Sequence, residues 1–98
     1  MLDMCVLAVL NRGDSYGWQV IKDLGDVMEV SESTLYPVLR RLEAGNSVRT
    51  YEEPHNGRLR KYFHITNIGK QRLRDFQSEY GAIEKIYRFI LDSIREGK

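Results

Sequence analysis

The sequence predicts a mainly α-helical fold that carries a two-stranded β hairpin. Three stripes of apolar residues at helical spacing precede Gly45. Two alternating segments then flank the turn sequence Pro54-His55-Asn56-Gly57. A last stripe with heptad spacing extends from Leu73 to Ile94. The order helix, helix, helix, hairpin, helix is the winged helix-turn-helix plan with a long C-terminal helix, and 98 residues suffice for one such domain.

The first two helices are predicted from short apolar stripes. In the first helix, the residues that share one face are Leu2, Val6, Val9 and Leu10. Gly13-Asp14-Ser15 interrupts this pattern, and Ser15 is the expected N-cap of the second helix. The second helix contains Gly17, whose low helix propensity indicates a close contact with a neighbouring element. Its apolar positions are Val20, Ile21 and Leu24, and Gly25-Asp26 ends it.

The third helix has one apolar and one polar face. Its apolar stripe consists of Leu35, Val38, Leu39 and Leu42. Either Ser31 or Ser33 can cap its N-terminus. If Ser33 is the cap, Pro37 lies at the end of the first turn and destabilises the helix little. If Ser31 is the cap, Pro37 lies deeper in the helix and removes a backbone hydrogen bond. The opposite face carries Ser33, Thr34, Pro37, Arg40 and Arg41.

A hairpin follows the helix stop at Gly45-Asn46. Its strands are predicted over residues 48–52 and 58–65, with the turn at residues 54–57. A two-stranded hairpin is not stable alone, so it must pack on the preceding helices.

Thr66 is the expected cap of a long last helix, predicted over about residues 67–94. Since no later segment of these 98 residues covers its apolar seam, we expect a second copy of the chain to do so, helped by the first helix. The chain then divides into a winged helix-turn-helix domain (residues 1–66) and a dimerisation helix (residues 67–98). The seam consists of Leu73, Phe76, Tyr80, Ile83, Tyr87, Ile90 and Ile94.

The composition, with 42% hydrophobic and 30% charged residues, is that of an ordinary folded protein. The single cysteine, Cys5, excludes a disulfide framework, and its apolar neighbours favour a buried, inert thiol. That apolar run is too short to span a membrane and lacks signal-peptide features, so we expect a cytoplasmic protein. Neither His55 nor His64 belongs to a ligand cluster, which predicts no metal or cofactor. The sequence contains no recognisable phosphate loop, activated nucleophile or carboxylate-pair motif, so we do not expect an enzyme.

Basic residues are concentrated in one third of the chain. Residues 40–74 carry nine basic and three acidic side chains, net +6, whereas residues 1–39 and 75–98 have net charges of −4 and −1. This asymmetry indicates an anionic partner. In a winged helix-turn-helix, the third helix fits the major groove of double-stranded DNA, and the hairpin reaches an adjacent groove or the backbone. The predicted DNA-binding residues are Ser33, Thr34, Tyr36, Pro37, Arg40 and Arg41 on the helix and Arg58, Arg60 and Lys61 on the hairpin.

Three segments resemble the PadR-like family of transcriptional regulators. Ser33-Thr34-Leu35-Tyr36-Pro37-Val38-Leu39-Arg40-Arg41-Leu42-Glu43 is similar to the family signature TLYPxLxRLE. Arg60-Lys61-Tyr62-Phe63-His64-Ile65-Thr66-Asn67-Ile68-Gly69 resembles its RKYYxLTxxG segment, and Asp14-Ser15-Tyr16-Gly17 resembles the turn that opens its second helix. The short part after the hairpin resembles the smaller branch of the family. The sequence departs from the pattern at Trp18, where tyrosine is usual, and at Asn46-Ser47, where glycine and a large apolar residue are common.

The resemblance implies a bacterial homodimeric repressor that binds two DNA half-sites and is released by a small-molecule effector or another signal. Two alternatives stay open at this point. A winged helix used for protein–protein contact would show no salt-dependent DNA binding. An architectural DNA binder without an effector would have the same basic surface but would not respond to ligands.

A regulatory cavity is predicted between the two subunits. In related multidrug-binding regulators an aromatic residue on the last helix lines such a pocket, and the resemblance places Tyr80 at the comparable position. Gly81 adds little bulk beside Tyr80, and a buried tyrosine hydroxyl needs a partner. Such an aromatic wall suits a planar aromatic effector. The predicted effector-binding and dimer-interface residues are Tyr80, Ile83, Tyr87 and Ile90.

Overall fold

The computed structural model describes residues 1–97 and confirms the predicted order of elements. Its helices and strands are α1 (Leu2–Asn11), α2 (Gly17–Leu24), α3 (Glu32–Ala44), β1 (Val48–His55), β2 (Arg58–Ile65) and α4 (Asn67–Arg95). The molecule is elongated, with principal extents of 60 × 25 × 21 Å. The three short helices and the hairpin form a rounded head from which α4 projects.

The core of the head is aliphatic and receives side chains from every element except the outer part of α4. The apolar face of α3 is buried as predicted. In α1, the sequence stripe is displaced by one position, because Leu7 is fully buried whereas Leu2 and Val9 are half-buried. Cys5 also is half-buried rather than fully enclosed. The buried apolar side chains are Val6, Leu7, Leu10, Val20, Leu24, Leu35, Val38, Leu39, Leu42, Val48, Phe63 and Ile65.

The N-terminus of α3 is capped by Ser31. Its Oγ accepts a hydrogen bond from the backbone N–H of Thr34 at 3.3 Å. Pro37 therefore lies beyond the first turn, where it has no N–H to donate to the carbonyl oxygen of Ser33. The helix nevertheless continues through Pro37 to Ala44, because its apolar face is anchored in the core.

Ser15 is not the N-cap of α2, contrary to the sequence expectation. The N-cap is Tyr16, which makes no side-chain capping bond. Ser15 instead pairs with Phe63: its N–H donates to the Phe63 carbonyl oxygen at 3.2 Å, and its carbonyl oxygen accepts from the Phe63 N–H at 2.7 Å. Through this bridge, Ser15 pairs with β2 in addition to the pairing of β2 with β1. Backbone pairing across the fold thus overrides the local capping preference of serine.

The hairpin is longer and tighter than predicted. Strand β1 extends to His55, three residues beyond the expected end, and it pairs with β2 in antiparallel register from Val48↔Ile65 to His55↔Arg58. The turn consists of Asn56 and Gly57 alone, with φ angles of 51° and 79°. A two-residue hairpin turn requires such positive φ values, which Asn-Gly adopts readily. Pro54 is tolerated because β1 is an edge strand.

Helix α4 starts in the core and then leaves it. Thr66 caps it as predicted, accepting a hydrogen bond from the Gly69 N–H at 3.2 Å. Gly69 is buried against the Ser47 carbonyl group and Ile65, so the backbones approach closely there. The Arg72 guanidinium donates to Asp3 Oδ2 at 2.8 Å and to Ser47 Oγ at 3.1 Å, which ties α4 to α1 and to the junction before β1. No helix of residues 1–97 is both long and apolar enough to cross a membrane.

Candidate nucleic-acid interface

The polar face of α3 is open to solvent. Ser33 and Thr34 are exposed on its first turn, and both hydroxyls contact Ser31 Oγ, at 3.0 and 3.1 Å. Arg40 and Arg41 are exposed about two turns further on. Within residues 1–97 neither arginine forms an ion pair, so both guanidinium groups are available to an anionic partner.

Tyr36 joins α3 to the start of α2. Its ring lies over Gly17, and a Cβ atom placed on Gly17 would come within 2.6 Å of the Tyr36 hydroxyl oxygen. This is the close contact that the sequence predicted for Gly17. The Tyr36 side chain is partly exposed and Pro37 is half-buried, so both lie at the margin of the polar face.

Strand alternation separates the basic residues of the hairpin. Arg58 and Arg60 lie on the outer face of the sheet, whereas Lys61 shares the opposite face with the buried Phe63. The Lys61 ammonium lies 3.8 Å from Glu43 Oε1 near the end of α3. Glu43 also accepts a hydrogen bond from the Thr50 hydroxyl at 3.1 Å. Lys61 is therefore partly neutralised by Glu43, and the ion pair is exposed and weak.

A row of three tyrosine rings covers the outer face of the hairpin, and we call Tyr16, Tyr62 and Tyr51 the tyrosine row. Tyr51 and Tyr62 are cross-strand partners that stack at 5.4 Å with an interplanar angle of 10°. Tyr16, from the start of α2, meets Tyr62 edge to face at 5.7 Å. The Arg60 guanidinium carbon lies 3.9 Å from the centre of the Tyr16 ring. This distance is that of a close cation–π contact.

Asp14 anchors the far end of the tyrosine row. Its Oδ2 accepts from the Tyr51 hydroxyl and its Oδ1 contacts His64 Nδ1, both at 2.7 Å. Desolvation opposes ionisation of Asp14, but the hydrogen bonds from Tyr51 and His64 outweigh it and lower the pKa of the carboxyl group below its usual 3.8. The same hydrogen bond to Asp14 raises the pKa of Tyr51 to about 12.

The local sequence pattern does not predict the tyrosine row or its anchor, Asp14. Asp14 is 37 residues from Tyr51 and 50 residues from His64, so no local pattern connects them. The stacked pair was accessible from the sequence, because the correct hairpin register places Tyr51 opposite Tyr62. Tyr16 belongs to the segment Asp14-Ser15-Tyr16-Gly17, and nothing in that segment predicts its contacts with Tyr62 and Arg60 of the hairpin.

The residues assigned to an effector site lie along the projecting part of α4. Tyr80 packs against Phe76 at 4.6 Å and borders a cleft of about 340 Å³ between α4 and the start of α1. Ile83, Tyr87 and Ile90 do not line this cleft. Tyr80 is 41% exposed, and Ile83, Tyr87 and Ile90 are 58%, 62% and 54% exposed. Phe89, which the sequence analysis did not single out, is the most exposed large apolar residue of this segment, at 78%.

No group of three or more histidine, cysteine or acidic side chains that could hold a metal ion occurs in residues 1–97. His55 contacts Asn56 in the turn, and His64 pairs with Asp14.

The four helices and the two-stranded sheet define a winged helix-turn-helix protein. Residues 6–75 match the transcriptional regulator PadR-like family, and the chain belongs to that family. The family consists of transcription regulators.

Solved structures share the fold over most of the chain. A PadR family transcription regulator from Clostridium difficile is 30% identical, with 92% of this chain and 97% of that chain covered and a TM-score of 0.80. A PadR-like transcriptional regulator from Bacillus cereus is 27% identical, with 92% and 90% covered and a TM-score of 0.80. Bacillus subtilis PadR, solved in complex with operator DNA, is 22% identical, with 78% and 46% covered and a TM-score of 0.72.

Proposed function

We propose that this chain is a homodimeric repressor that binds double-stranded DNA through α3 and the hairpin. The observation that carries the proposal is the set of arginines on these two elements that have no acidic partner among residues 1–97. Guanidinium groups suit both phosphates and the edge of guanine. Four of these arginines are the predicted DNA contacts Arg40, Arg41, Arg58 and Arg60. The fifth, Arg49 on β1, is close enough to Asp14 to help lower the pKa of its carboxyl group.

The start of α2 lies between α3 and the hairpin, the two elements proposed to contact DNA, and joins them into one continuous surface. We call this the reading surface. Tyr36 of α3 lies against Gly17, and the neighbouring Tyr16 lies under Arg60 of the hairpin. A duplex that receives α3 in its major groove therefore has Arg60 at the adjacent backbone. The shared fold with Bacillus subtilis PadR, whose structure contains operator DNA, supports this use of the winged helix.

Within this surface, the residues have different roles. Ser33, Thr34 and Arg40 contact bases or the nearby backbone, because they lie on the exposed face of α3. Tyr36 and Pro37, at the margin of that face, contact the sugar–phosphate backbone. Arg41 and the hairpin residues Arg58, Arg60 and Lys61 contact phosphate or the minor groove. Lys61 must leave Glu43 to do so, which makes it the weakest contact of the hairpin.

The proposal is tested by DNA binding across a salt titration, with an operator selected from a random duplex pool. Loss of one phosphate contact per subunit, as in Arg60→Ala, reduces the slope of log affinity against log salt by about 0.9 for each contact. If Arg40 reads a base, Arg40→Ala costs about 1–3 kcal/mol and relaxes the preference at one position. The matched control is Arg88→Ala on α4, where Arg88 lies 3.7 Å from Glu84 and away from the reading surface.

Three outcomes separate the proposal from its alternatives. Wild-type affinity and slope in both Arg40→Ala and Arg60→Ala would refute the assigned surface. No salt-dependent DNA binding by the wild-type chain would favour a protein-contact role for the winged helix. Salt-dependent binding without sequence preference would favour an architectural DNA binder.

The dimer and the effector are parts of the same proposal. Helix α4 has 29 residues, about 43 Å at 1.5 Å per residue, and its outer half exposes an apolar stripe. A second α4 covers this stripe most economically, because both copies have the same heptad seam. The cleft beside Tyr80 then becomes part of a site between subunits, and a planar aromatic compound fits its aromatic wall.

A further inference from the structure

We propose that Tyr16 is a positioning residue: it holds the Arg60 guanidinium for DNA and keeps it from pairing with Glu53. This inference rests on the proposed DNA-binding function and adds a residue that makes no DNA contact of its own. The carrying observation is the 3.9 Å contact between the Arg60 guanidinium carbon and the Tyr16 ring.

Arg60 has an acidic alternative close by. The hairpin register places Glu53 directly opposite Arg60 on the same outer face of the sheet. Residues opposite each other in an antiparallel pair have Cβ atoms roughly 5 Å apart, within reach of an ion pair. Arg60 nevertheless forms no ion pair within residues 1–97 and lies over Tyr16. A contact with a ring face leaves the in-plane N–H donors of a guanidinium group free for a phosphate.

The Tyr16 ring is itself held by its neighbours. Its edge-to-face contact with Tyr62, the stacking of Tyr62 on Tyr51, and the Tyr51–Asp14 hydrogen bond form an unbroken series. Tyr16 is also the N-cap residue of α2, next to the Gly17–Tyr36 contact. The position of Arg60 is therefore set relative to α3 as well as to the hairpin. The arginine is pre-organised, so less side-chain freedom is lost when DNA binds.

The experiment measures operator affinity for Arg60→Ala, Tyr16→Leu and the double variant, with Tyr16→Phe as the conservative control. An exposed cation–π contact corresponds to a change in operator affinity of about two- to fivefold for each hairpin that binds. This is the loss expected in Tyr16→Leu. Tyr16→Phe keeps the ring and retains wild-type affinity. In the Arg60→Ala background, Tyr16→Leu causes no further loss, because the group that it positions is gone.

Each other result has a distinct meaning. Wild-type affinity in Tyr16→Leu, while Arg60→Ala binds weakly, overturns the inference and leaves the DNA-binding function standing. An equal loss from Tyr16→Leu in both backgrounds shows that Tyr16 touches DNA itself, which also overturns it. Wild-type affinity in Arg60→Ala rejects the proposed hairpin contact, and the inference is rejected with it.

A second measurement uses the unaltered chain, in case Tyr16→Leu does not fold. A guanidinium group held over an aromatic ring brings the adjacent methylene protons near the ring face, which shifts their proton resonances upfield. We expect this shift for Arg60 in the wild-type chain and not for Arg58, which lies on the same face without a ring contact of this kind in residues 1–97. Equal, unshifted resonances for the two arginines would contradict the positioning role.

Discussion

Asn46 and Ser47 depart from the family pattern, yet the fold gives each a place. Asn46 has a φ of 60°, in the left-handed region that glycine adopts freely and asparagine tolerates. Ser47 is buried, and its hydroxyl accepts from Arg72. Trp18, at a usual tyrosine position, is half exposed with the Lys22 ammonium 4.5 Å from its ring centre. At these three positions the side chains that depart from the family pattern are accommodated by the backbone conformation of Asn46 and by the contacts of Ser47 and Trp18.

Two helical glycines are expected to respond in opposite ways to alanine. A Cβ on Gly69 would collide with the Ser47 carbonyl oxygen and lie 2.7 Å from Ile65 Cγ1, so Gly69→Ala should lower the free energy of unfolding by about 1–3 kcal/mol. A Cβ on Gly81 meets nothing within 4 Å, so Gly81→Ala should stabilise α4 by up to about 1 kcal/mol. Urea unfolding measures both. A stabilising Gly69→Ala would contradict the close approach of backbones at the start of α4.

Asp14 should make stability depend on pH in the acid range. Its pKa is lowered in the fold, so its stabilising contribution is complete above the ordinary value of 3.8 and is lost as pH falls through the lower folded value. Asp14→Asn should cost about 1 kcal/mol at neutral pH, because solvent screens this partly exposed group. The difference from wild type should shrink toward zero in acid. Asp23→Asn is the control, since Asp23 accepts only from Gln19 one turn away; an identical pH profile for both variants would rule out the anchor role.

At the scale of elements, α4 has two halves with different environments. Its first turns belong to the core of the head through Gly69, Leu73 and the Arg72 contacts. In its outer half, most of the large apolar side chains are exposed. Burial of one large apolar side chain is worth roughly 1.5–3 kcal/mol. In a single copy these side chains stay exposed to water, so their burial against a second copy would favour association.

Charges on the seam of α4 should separate the dimer. Ile83→Lys/Ile90→Lys places four lysines in the proposed interface and should raise the dimer dissociation constant by at least about a hundredfold. Sedimentation equilibrium at micromolar concentration measures the mass. Ser78→Lys/Asp92→Lys, which adds lysines on the opposite side of the same helix, should leave the dimer intact. An unchanged dimer mass in the seam variant would refute association through α4.

At the scale of the whole molecule, hydrogen bonds join the start of α4 to the head that carries α3 and the hairpin. The Thr66 N–H donates to the Ser47 carbonyl oxygen at 3.0 Å, and the Thr66 hydroxyl donates to the Asn46 carbonyl oxygen at 2.6 Å. Helix α4 therefore begins at the α3–β1 junction and immediately after β2. A change in the crossing angle of two α4 helices would move both heads and alter the distance between half-sites. A ligand that prefers one angle shifts operator affinity by its differential affinity for the two states.

A planar aromatic compound should therefore bind at α4 and weaken operator binding. We expect coumarin or quinoline to give a binding heat with the free protein and to lower operator affinity by about 5- to 150-fold at saturation. Tyr80→Ala should abolish both effects, because Tyr80 forms the aromatic wall of the cleft. Phe89→Ala is the control, an exposed aromatic outside the seam of the same helix. No binding heat and no change in operator affinity would remove the effector and leave a dimeric DNA binder.

The sequence by itself determined the order of elements, the apolar face of α3, the presence of a turn within residues 54–57 and the start of α4 at Thr66. These features depend on residues that are neighbours along the chain. Helical periodicity is read over a few turns, the Asn-Gly pair specifies a tight turn, and a cap acts on the next three residues. The segments of this chain that resemble the family are likewise contiguous in the sequence.

Only the tertiary structure decided the role of Ser15, the extent of β1 and the arrangement of the outer face of the hairpin. Ser15 pairs with Phe63, and Asp14 binds Tyr51 and His64, across separations of 37 to 50 residues. The contact of Tyr16 with Arg60 depends in turn on how α2 meets the sheet. Such contacts depend on packing in three dimensions, because the groups that hydrogen-bond or stack are brought together only after the core has formed. The periodicity of the sequence specifies which faces are buried, whereas the packed core specifies which distant side chains meet on the exposed ones.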